Sequence, residues 1–461
     1  MSTTAPTPIR ECDRMACHST PDPQVLVIGA GIAGLTAAFV LQQRGVSVRV
    51  LESTARVGGR MTTDLVGGRV IDRGAQFLST GYPMLSSLVR RLGLSSEWVR
   101  TTPWTAVVRE GRVIRFRYDD PLSSLWSGLL RPQEIWTLAR QSLSALSTVR
   151  RPINDYGRWS DVDVTDAASW YDQQFGPWMT EYLVEPMLQG FYFQTPEETS
   201  CALPRAIAGF LTQGAQTSTL RGGIGRLPSA LAQHLDVCLN QTVLAIEPQR
   251  NSVAIETQDG WIQAGRVILA IPAPQALQLL RSTSEAERLL LSTTYSSTLN
   301  LSLGLDGGWR PPDSLNDVYG LLIPRLERRR IAAVAFEKAK DPARTPNGHL
   351  VNVMVDGRSG AEMIAWDETR VLQEILQELD RWLPGASRAV EFHRLYRWER
   401  AEPRSPVGRA NAIAHYRAVA STDQRLLLAG DYMSMPFTEG AAESGRWAAH
   451  RVLSYLGHDF G

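Results

Sequence analysis

The sequence predicts an α/β fold in which a parallel sheet, covered on both faces, is interleaved with a second domain of α+β character. Three observations carry this prediction. The run Val25-Leu26-Val27-Ile28 is continuously apolar, as a strand buried on both sides must be. A glycine-rich turn and an amphipathic segment follow it at once, and a second apolar strand closes the unit. Strand patterns then return only after a long tryptophan-rich stretch in which helical patterns dominate.

The bulk properties narrow the classes. A chain of 461 residues suits two or three domains. Hydrophobic residues make up 43% and charged residues 21%, as in soluble globular proteins. The formal net charge of +1 provides no field for nucleic acid, so nucleic acid is not expected as a partner. Lys338 and Lys340 are the only lysines, which leaves few places for a catalytic one. Cys12, Cys17, Cys201 and Cys238 form no Cys-x-x-Cys pair and no Cys/His cluster, so no metal site and unpaired thiols in a reducing compartment are expected. Residues 1–22 are rich in Ser, Thr and Pro and lack a secretory apolar core, which reads as a disordered tail. No uninterrupted apolar run approaches the ~18 residues of a membrane span, so a cytoplasmic location is expected by default.

The elements follow in order. After the first strand, Leu35, Ala38 and Phe39 have helical spacing, and Gly45 ends that helix. Val46–Leu51 is the next strand, which completes the opening βαβ unit of a Rossmann-type, dinucleotide-binding domain. Residues 84–240 carry helical patterns and seven tryptophans, Trp98, Trp104, Trp126, Trp136, Trp159, Trp170 and Trp178. The amphipathic stretch Leu122–Val149 reads as helices packed over a core or cavity, with contact to a membrane surface as the alternative. Strands return at Val243–Ile246, Ser252–Ile255 and Arg266–Ile271. Those at Leu299–Leu305, Ile331–Phe336 and Leu350–Val355 suggest a second, antiparallel sheet. A helix over Val371–Leu383 is stopped by Pro384-Gly385, and a last strand, Arg425–Ala429, leads through Gly430 to a helix near Glu439.

The glycines Gly29-x-Gly31-x-x-Gly34 stand between a strand and a helix. Gly29 permits the tight turn, Gly31 lets the backbone approach a pyrophosphate, and Gly34 lets the helix pack close to the strand. The helix start at Ala33 then offers free N–H groups and a partial positive charge to phosphates. Glu52 ends the second strand, close to the ~20 residues downstream at which such folds place a ribose-binding acid. A carboxylate there disfavours a 2′-phosphate.

The segment Glu52-Ser53-Thr54-Ala55-Arg56-Val57-Gly58-Gly59-Arg60 resembles the extended motif of the flavin amine oxidase, protoporphyrinogen oxidase and phytoene desaturase superfamily. Asp72-Arg73-Gly74-Ala75-Gln76-Phe77 is similar to the stretch that passes beside the flavin ring in that family. Arg221–Leu227 resembles its return into the FAD domain. Val243 falls where the family sets a strand against adenine. Ala429-Gly430-Asp431 and Glu439-Gly440-Ala441-Ala442-Glu443-Ser444-Gly445 resemble its C-terminal flavin motif. The resemblance implies noncovalent FAD, bound by Gly29, Gly31, Ala33, Gly34, Glu52, Arg56, Gly59, Arg60, Gly74, Ala75, Gln76, Phe77, Val243, Gly430, Asp431, Glu439, Gly440 and Ala441. Arg60 would supply charge-assisted hydrogen bonds to the pyrophosphate. The helix after Glu439 would point its positive end at the flavin pyrimidine edge.

The implied fold is a glutathione-reductase-like, Rossmann-type FAD-binding domain interleaved with an α+β substrate domain. The tail is 1–22. FAD-binding parts are 23–83, 215–285 and 395–461. A mostly helical substrate part spans 84–214, and an antiparallel substrate part spans 286–394.

The resemblance also implies hydride removal from a C–H bond of a small molecule, with oxygen as the final acceptor. Monoamine-oxidase-like members carry a lysine near the flavin, whereas the corresponding strand here, Ser296–Leu301, has none. Glu185–Tyr192 with Pro196-Glu197-Glu198, and Trp398-Glu399-Arg400-Ala401-Glu402-Pro403, instead resemble the protoporphyrinogen-oxidase and desaturase branch. A bulky, largely apolar substrate is the first reading. An amine or amino acid is the second, and a flavin retained for a non-redox role or an isomerisation is the third. Phe437, Trp398 and Tyr432 are the candidates for the flavin face, and no acid–base pair is legible. Oligomeric state is left open, as is peripheral contact with a membrane.

Overall fold

A computed structural model describes residues 23–145, 151, 153–212, 214–421 and 423–458. The expected tail and the end of the amphipathic stretch, residues 146–149, lie outside the described residues.

The apolar run Val25–Ile28 forms β1, and all four residues are buried, as burial on both faces requires. Helix α1, Ile32–Gln42, returns the chain to β2, Val48–Leu51, which pairs in parallel with β1 from Val25 opposite Val48. Three later strands complete the sheet: β3 (Asp236–Cys238), β4 (Arg266–Leu269) and β5 (Leu426–Leu428). The order is β3-β2-β1-β4-β5 and every pairing is parallel. Strands from three distant parts of the chain therefore build one sheet, which is the expected interleaving. Gly34 sets the depth of the packing, because a Cβ there would stand 2.0 Å from the Gly29 carbonyl oxygen. Helix α2, Pro83–Arg91, and the C-terminal helix α3, Thr438–Tyr455, belong to the same layer. Gly445 lets α3 rest on α1, since a Cβ there would lie 2.0 Å from the Ala33 oxygen.

The second body is a seven-stranded sheet in the order 390–398, 298–305, 349–355, 331–336, 320–322, 104–109, 112–117. It is antiparallel except where Gly320–Leu322 runs parallel to Trp104–Arg109. Alternation assigns its two faces. Leu321, Val353 and Val355 pack with Val371, Ile375 and Leu379 of the helix Glu368–Trp382. Val107, Leu322, Ala333, Ala335 and Met354 face the opposite way, towards the helices of residues 167–212.

The reading of 84–214 as mostly helical missed the last two strands of this sheet and Trp98–Arg100. Trp104–Arg109 and Arg112–Arg117 form a hairpin whose two turn residues, Glu110 and Gly111, have φ of 54° and 73°. Those angles match the twist of paired strands, so Glu-Gly here is a turn signal. Of the expected unpaired thiols, Cys201 is a buried free thiol, and Cys12 and Cys17 lie outside the described residues. No helix among the described residues is long and apolar enough to cross a membrane.

Candidate active site

The residues that follow the parallel strands border one cavity of about 660 Å³. In open α/β sheets this crevice is where ligands bind. Gly29, Gly31 and Ala33 enter it from the first turn, Glu52, Arg56, Gly59 and Arg60 from the segment after β2, Val243 from beyond β3, Gly430 and Asp431 from the end of β5, and Ala441 from α3. Gly29 has φ of +101°, and a Cβ there would sit 2.6 Å from the Ala270 oxygen. At Gly31, by contrast, no atom lies within 4 Å of a Cβ position. The missing side chain therefore leaves room for a ligand rather than for the protein. Glu52 is fixed at the strand end: one carboxylate oxygen accepts from Ala30 N at 2.9 Å, the other from Thr54 N at 2.9 Å. Arg56, Arg60, Arg397 and Arg400 supply cations to the cavity wall. The donor set, an open N-terminal turn, an acid at the strand end and arginines between them, fits a dinucleotide.

A second cavity, of about 650 Å³, lies between the seven-stranded sheet and the helices. Gly74, Ala75, Gln76 and Phe77 line it, as do aromatic side chains including Tyr82, Phe191, Tyr192, Phe210 and Tyr319. Trp398 and Phe437, two of the three flavin-face candidates, border both cavities. Trp398 is held by its indole N–H, which donates to the Arg73 oxygen at 3.0 Å, and Phe437 stacks on Tyr82 at 5.3 Å. Gly74 keeps that contact possible, since a Cβ there would meet the Arg60 oxygen at 2.5 Å and Trp398 at 3.1 Å. The Gln76 amide donates to the Asp72 and Gly74 oxygens, both at 3.0 Å, and accepts from Asn352 at 3.0 Å.

Three expectations need correction. Tyr432 is fully buried beneath β5 and lines neither cavity; its ring packs against the Gly430 backbone, so it belongs to the core. The Glu439 carboxylate accepts from Met84 N at 2.7 Å and Leu85 N at 2.9 Å, which caps α2 instead of reaching a cofactor. Burial pushes that carboxyl up to about 7. Gly440 serves packing, because a Cβ there would lie 2.1 Å from the Met435 oxygen. Arg60, on the wall of the first cavity, bridges Asp431 at 2.6 Å and donates to the Ala401 oxygen at 2.6 Å. Burial opposes its charge, but Asp431 and Glu402 outweigh burial and raise its pKa.

Sequence reasoning missed two features. Lys340 and Arg344 pair with Asp72 and Glu337 in a quartet whose side chains are all 0% exposed, with Lys340 at 3.0 Å from Asp72 and 3.1 Å from Glu337. Burial works against the Asp72 charge, but Arg344 and Lys340 hold the carboxyl below its usual range. Asn352 ties Glu337, at 2.8 Å, to Gln76 in the second cavity. No pattern in the sequence linked residue 72 to residues 337–344. The other feature is Glu402, enclosed by protein yet open to both cavities, whose carboxyl burial pushes up to about 8. It sits inside the Trp-x-x-Ala-x-Pro stretch, at a position that the spacing of that stretch does not mark. Among the described residues no His, Cys, Asp and Glu group could hold a metal ion.

The comparisons agree with this architecture. Protoporphyrinogen oxidase 2 of Arabidopsis thaliana is 21% identical over 94% of both chains. A coproporphyrinogen III oxidase of Mycobacterium tuberculosis is 26% identical over 90% of this chain and 95% of that protein. The solved structure of a putrescine oxidase bound to putrescine superposes with a TM-score of 0.75 at 18% identity, covering 94% of this chain and 99% of that one. The family model described as flavin containing amine oxidoreductase matches residues 32–453. With that match over a parallel-sheet crevice and an adjoining aromatic cavity, this chain belongs to the flavin-containing amine oxidoreductases and is a flavin-dependent oxidoreductase.

Proposed function

We infer that this enzyme holds FAD noncovalently and removes a hydride from a C–H bond of a bulky, largely apolar molecule of the porphyrinogen kind, with oxygen as the final acceptor. The observation that carries this reading is the second cavity: about 650 Å³, walled by aromatic and aliphatic side chains, and sharing Trp398 and Phe437 with the first. Porphyrinogen oxidases match along nearly the whole chain, which supports the same class.

When bound, the flavin supplies the two-electron acceptor. The N-terminus of α1 at Gly31 to Ala33 would face the pyrophosphate and Glu52 the ribose hydroxyls. Arg56 and Gly59 would lie beside the phosphates, Val243 would lie against adenine, and Gly430 and Asp431 would reach the ribityl chain. Ala75, Trp398 and Phe437 would then separate cofactor from substrate and exclude water from the reacting carbon. Arg60 and Arg205 are the cavity's cations, and Arg205 offers a partner to an acid group on the substrate.

A second reading, oxidation of an amine, is favoured by one observation. Trp398, Phe437 and Glu402 border the same two cavities, and two aromatic residues with a carboxylate make a lining that suits an ammonium group. Anaerobic mixing with protoporphyrinogen, coproporphyrinogen III and a series of alkylamines separates the two. Bleaching of the flavin bands by a porphyrinogen is expected. Bleaching by the amines alone transfers the reading to amine oxidation.

A further inference from the structure

Dehydrogenation removes a hydride from carbon and a proton from a neighbouring atom, and that proton needs an acceptor within hydrogen-bond reach of the substrate. Six residues border both cavities: Arg60, Ala75, Trp398, Glu402, Phe437 and Thr438. Glu402 is the one carboxylate in this set.

Its main chain is clamped. Ser296 N donates to the Glu402 oxygen at 2.8 Å, and Glu402 N donates to the Ser296 hydroxyl at 3.3 Å. That hydroxyl also donates to the Tyr192 oxygen at 2.9 Å, and Ser296 is fully buried. Among the described residues the hydrogen bonds of Glu402 thus run through its backbone, and the residue lines both cavities. Charged and titratable groups face it from every side. Arg60 and Arg409 attract its charge and Asp431 repels it, while Tyr82 and Tyr192 lie within its field. Burial outweighs the arginines and pushes the carboxyl up to about 8, within a unit or so of neutral pH, where proton exchange is effective.

We propose that Glu402 is the proton acceptor of the reaction, facing a substrate N–H at the mouth between the two cavities. The inference rests on the dehydrogenation reading above. In each turnover the C–H bond gives its hydrogen and both electrons as hydride to the flavin. The N–H bond gives its proton to the Glu402 carboxylate, and a C=N bond forms, directly in an amine or relayed through the conjugated pyrrole ring in a porphyrinogen. The carboxylic acid so formed returns its proton to solvent after the product leaves. The substrate class is thereby narrowed to molecules that carry an N–H conjugated with, or next to, the reacting C–H. A polyene precursor, which has none, falls outside it.

The test uses flavin-loaded wild type, Glu402→Gln and Glu402→Asp, each checked for an unchanged flavin spectrum and cooperative melting. Flavin reduction by coproporphyrinogen III and by protoporphyrinogen is followed anaerobically across pH. For wild type the rate should rise with pH through a limb near 8, where the carboxyl ionises. Glu402→Gln should lose the limb and reduce its flavin at least ~100-fold more slowly with little change in substrate Kd. Glu402→Asp should recover the limb and part of the rate. A glutamine variant that keeps both limb and rate overturns the proposal.

Infrared difference spectra between acid and alkaline pH give a readout independent of turnover. A carboxylic C=O component that titrates near pH 8 should be present in wild type and absent in Glu402→Gln, which keeps only the Glu439 component near 7. Absence of the Glu402 component in wild type also overturns the proposal. If neither porphyrinogen reduces wild type while that component is present, it is the substrate reading that fails.

Discussion

Replacing Gly31 with alanine isolates the ligand's share of the glycine turn from the protein's share. Gly31 has φ of −70° and ψ of 172°, a conformation open to any residue. No atom lies within 4 Å of the added Cβ. The apoprotein should therefore fold normally and gain about 0.4–1 kcal/mol, because alanine restricts the unfolded chain. The methyl group projects into the cavity where the pyrophosphate would run. Overfilling a close contact by one methyl costs about 1–3 kcal/mol, which is a roughly 5- to 150-fold weaker Kd for FAD. Titrating apoprotein with FAD by fluorescence quenching, beside thermal unfolding of the same sample, reads both effects. Gly34→Ala is the contrasting control: its Cβ would sit 2.0 Å from the Gly29 oxygen, so α1 must lift off β1 and the apoprotein itself should melt earlier. Wild-type FAD affinity in Gly31→Ala would refute the placement of the phosphates over this turn.

Glu52→Ala should weaken FAD binding by about ten- to 150-fold, the worth of hydrogen bonds to a charged group. Far-UV circular dichroism should stay unchanged; full flavin occupancy in the purified variant counts against the ribose assignment. Lys340→Met should cost about 3–5 kcal/mol in denaturant unfolding, since it leaves Asp72 and Glu337 short of a buried partner. A loss under ~1 kcal/mol would show that the quartet is not needed for folding. The carboxyls of Glu402 and Glu439 are raised to about 8 and about 7, so the folded chain keeps protons that the unfolded chain releases above about 4.5. Apoprotein stability should therefore be greatest below about pH 5 as far as these two groups decide it, and fall as pH rises towards 8. Glu439→Gln should flatten the lower part of that slope, and an unchanged slope would contradict the assignment.

The parallel-sheet half was the more legible one because its constraints are local. A continuous apolar strand, a turn that tolerates only glycine and an acid at the next strand end stand within thirty residues of one another. Val25–Ile28 and Ile331–Phe336 form strands over those same bounds, and the C-terminal helix starts one residue before Glu439. The losses were non-local. Tyr432 directly follows, and Glu439 opens, segments that resemble a flavin site, yet one side chain turns into the core and the other caps a helix some 350 residues earlier in the chain (Met84 N and Leu85 N). Residue identity gave the motif but not the direction of each side chain. The Trp104–Arg117 hairpin was hidden because its strands, Trp-Thr-Ala-Val-Val-Arg and Arg-Val-Ile-Arg-Phe-Arg, are short and lie among helical patterns. Glu402 could not be singled out because its importance comes from two cavities meeting, which no spacing along the chain records.

A flavin that is bound, dissociable and seated in the first cavity is the central requirement of this enzyme's chemistry. The visible absorption spectrum of the purified protein, repeated on the supernatant after heat denaturation, tests this most directly. Flavin bands on the protein should move intact into the supernatant and be identified there as FAD. A colourless protein that takes up no FAD on reconstitution, or bands that stay with the precipitate, would contradict it.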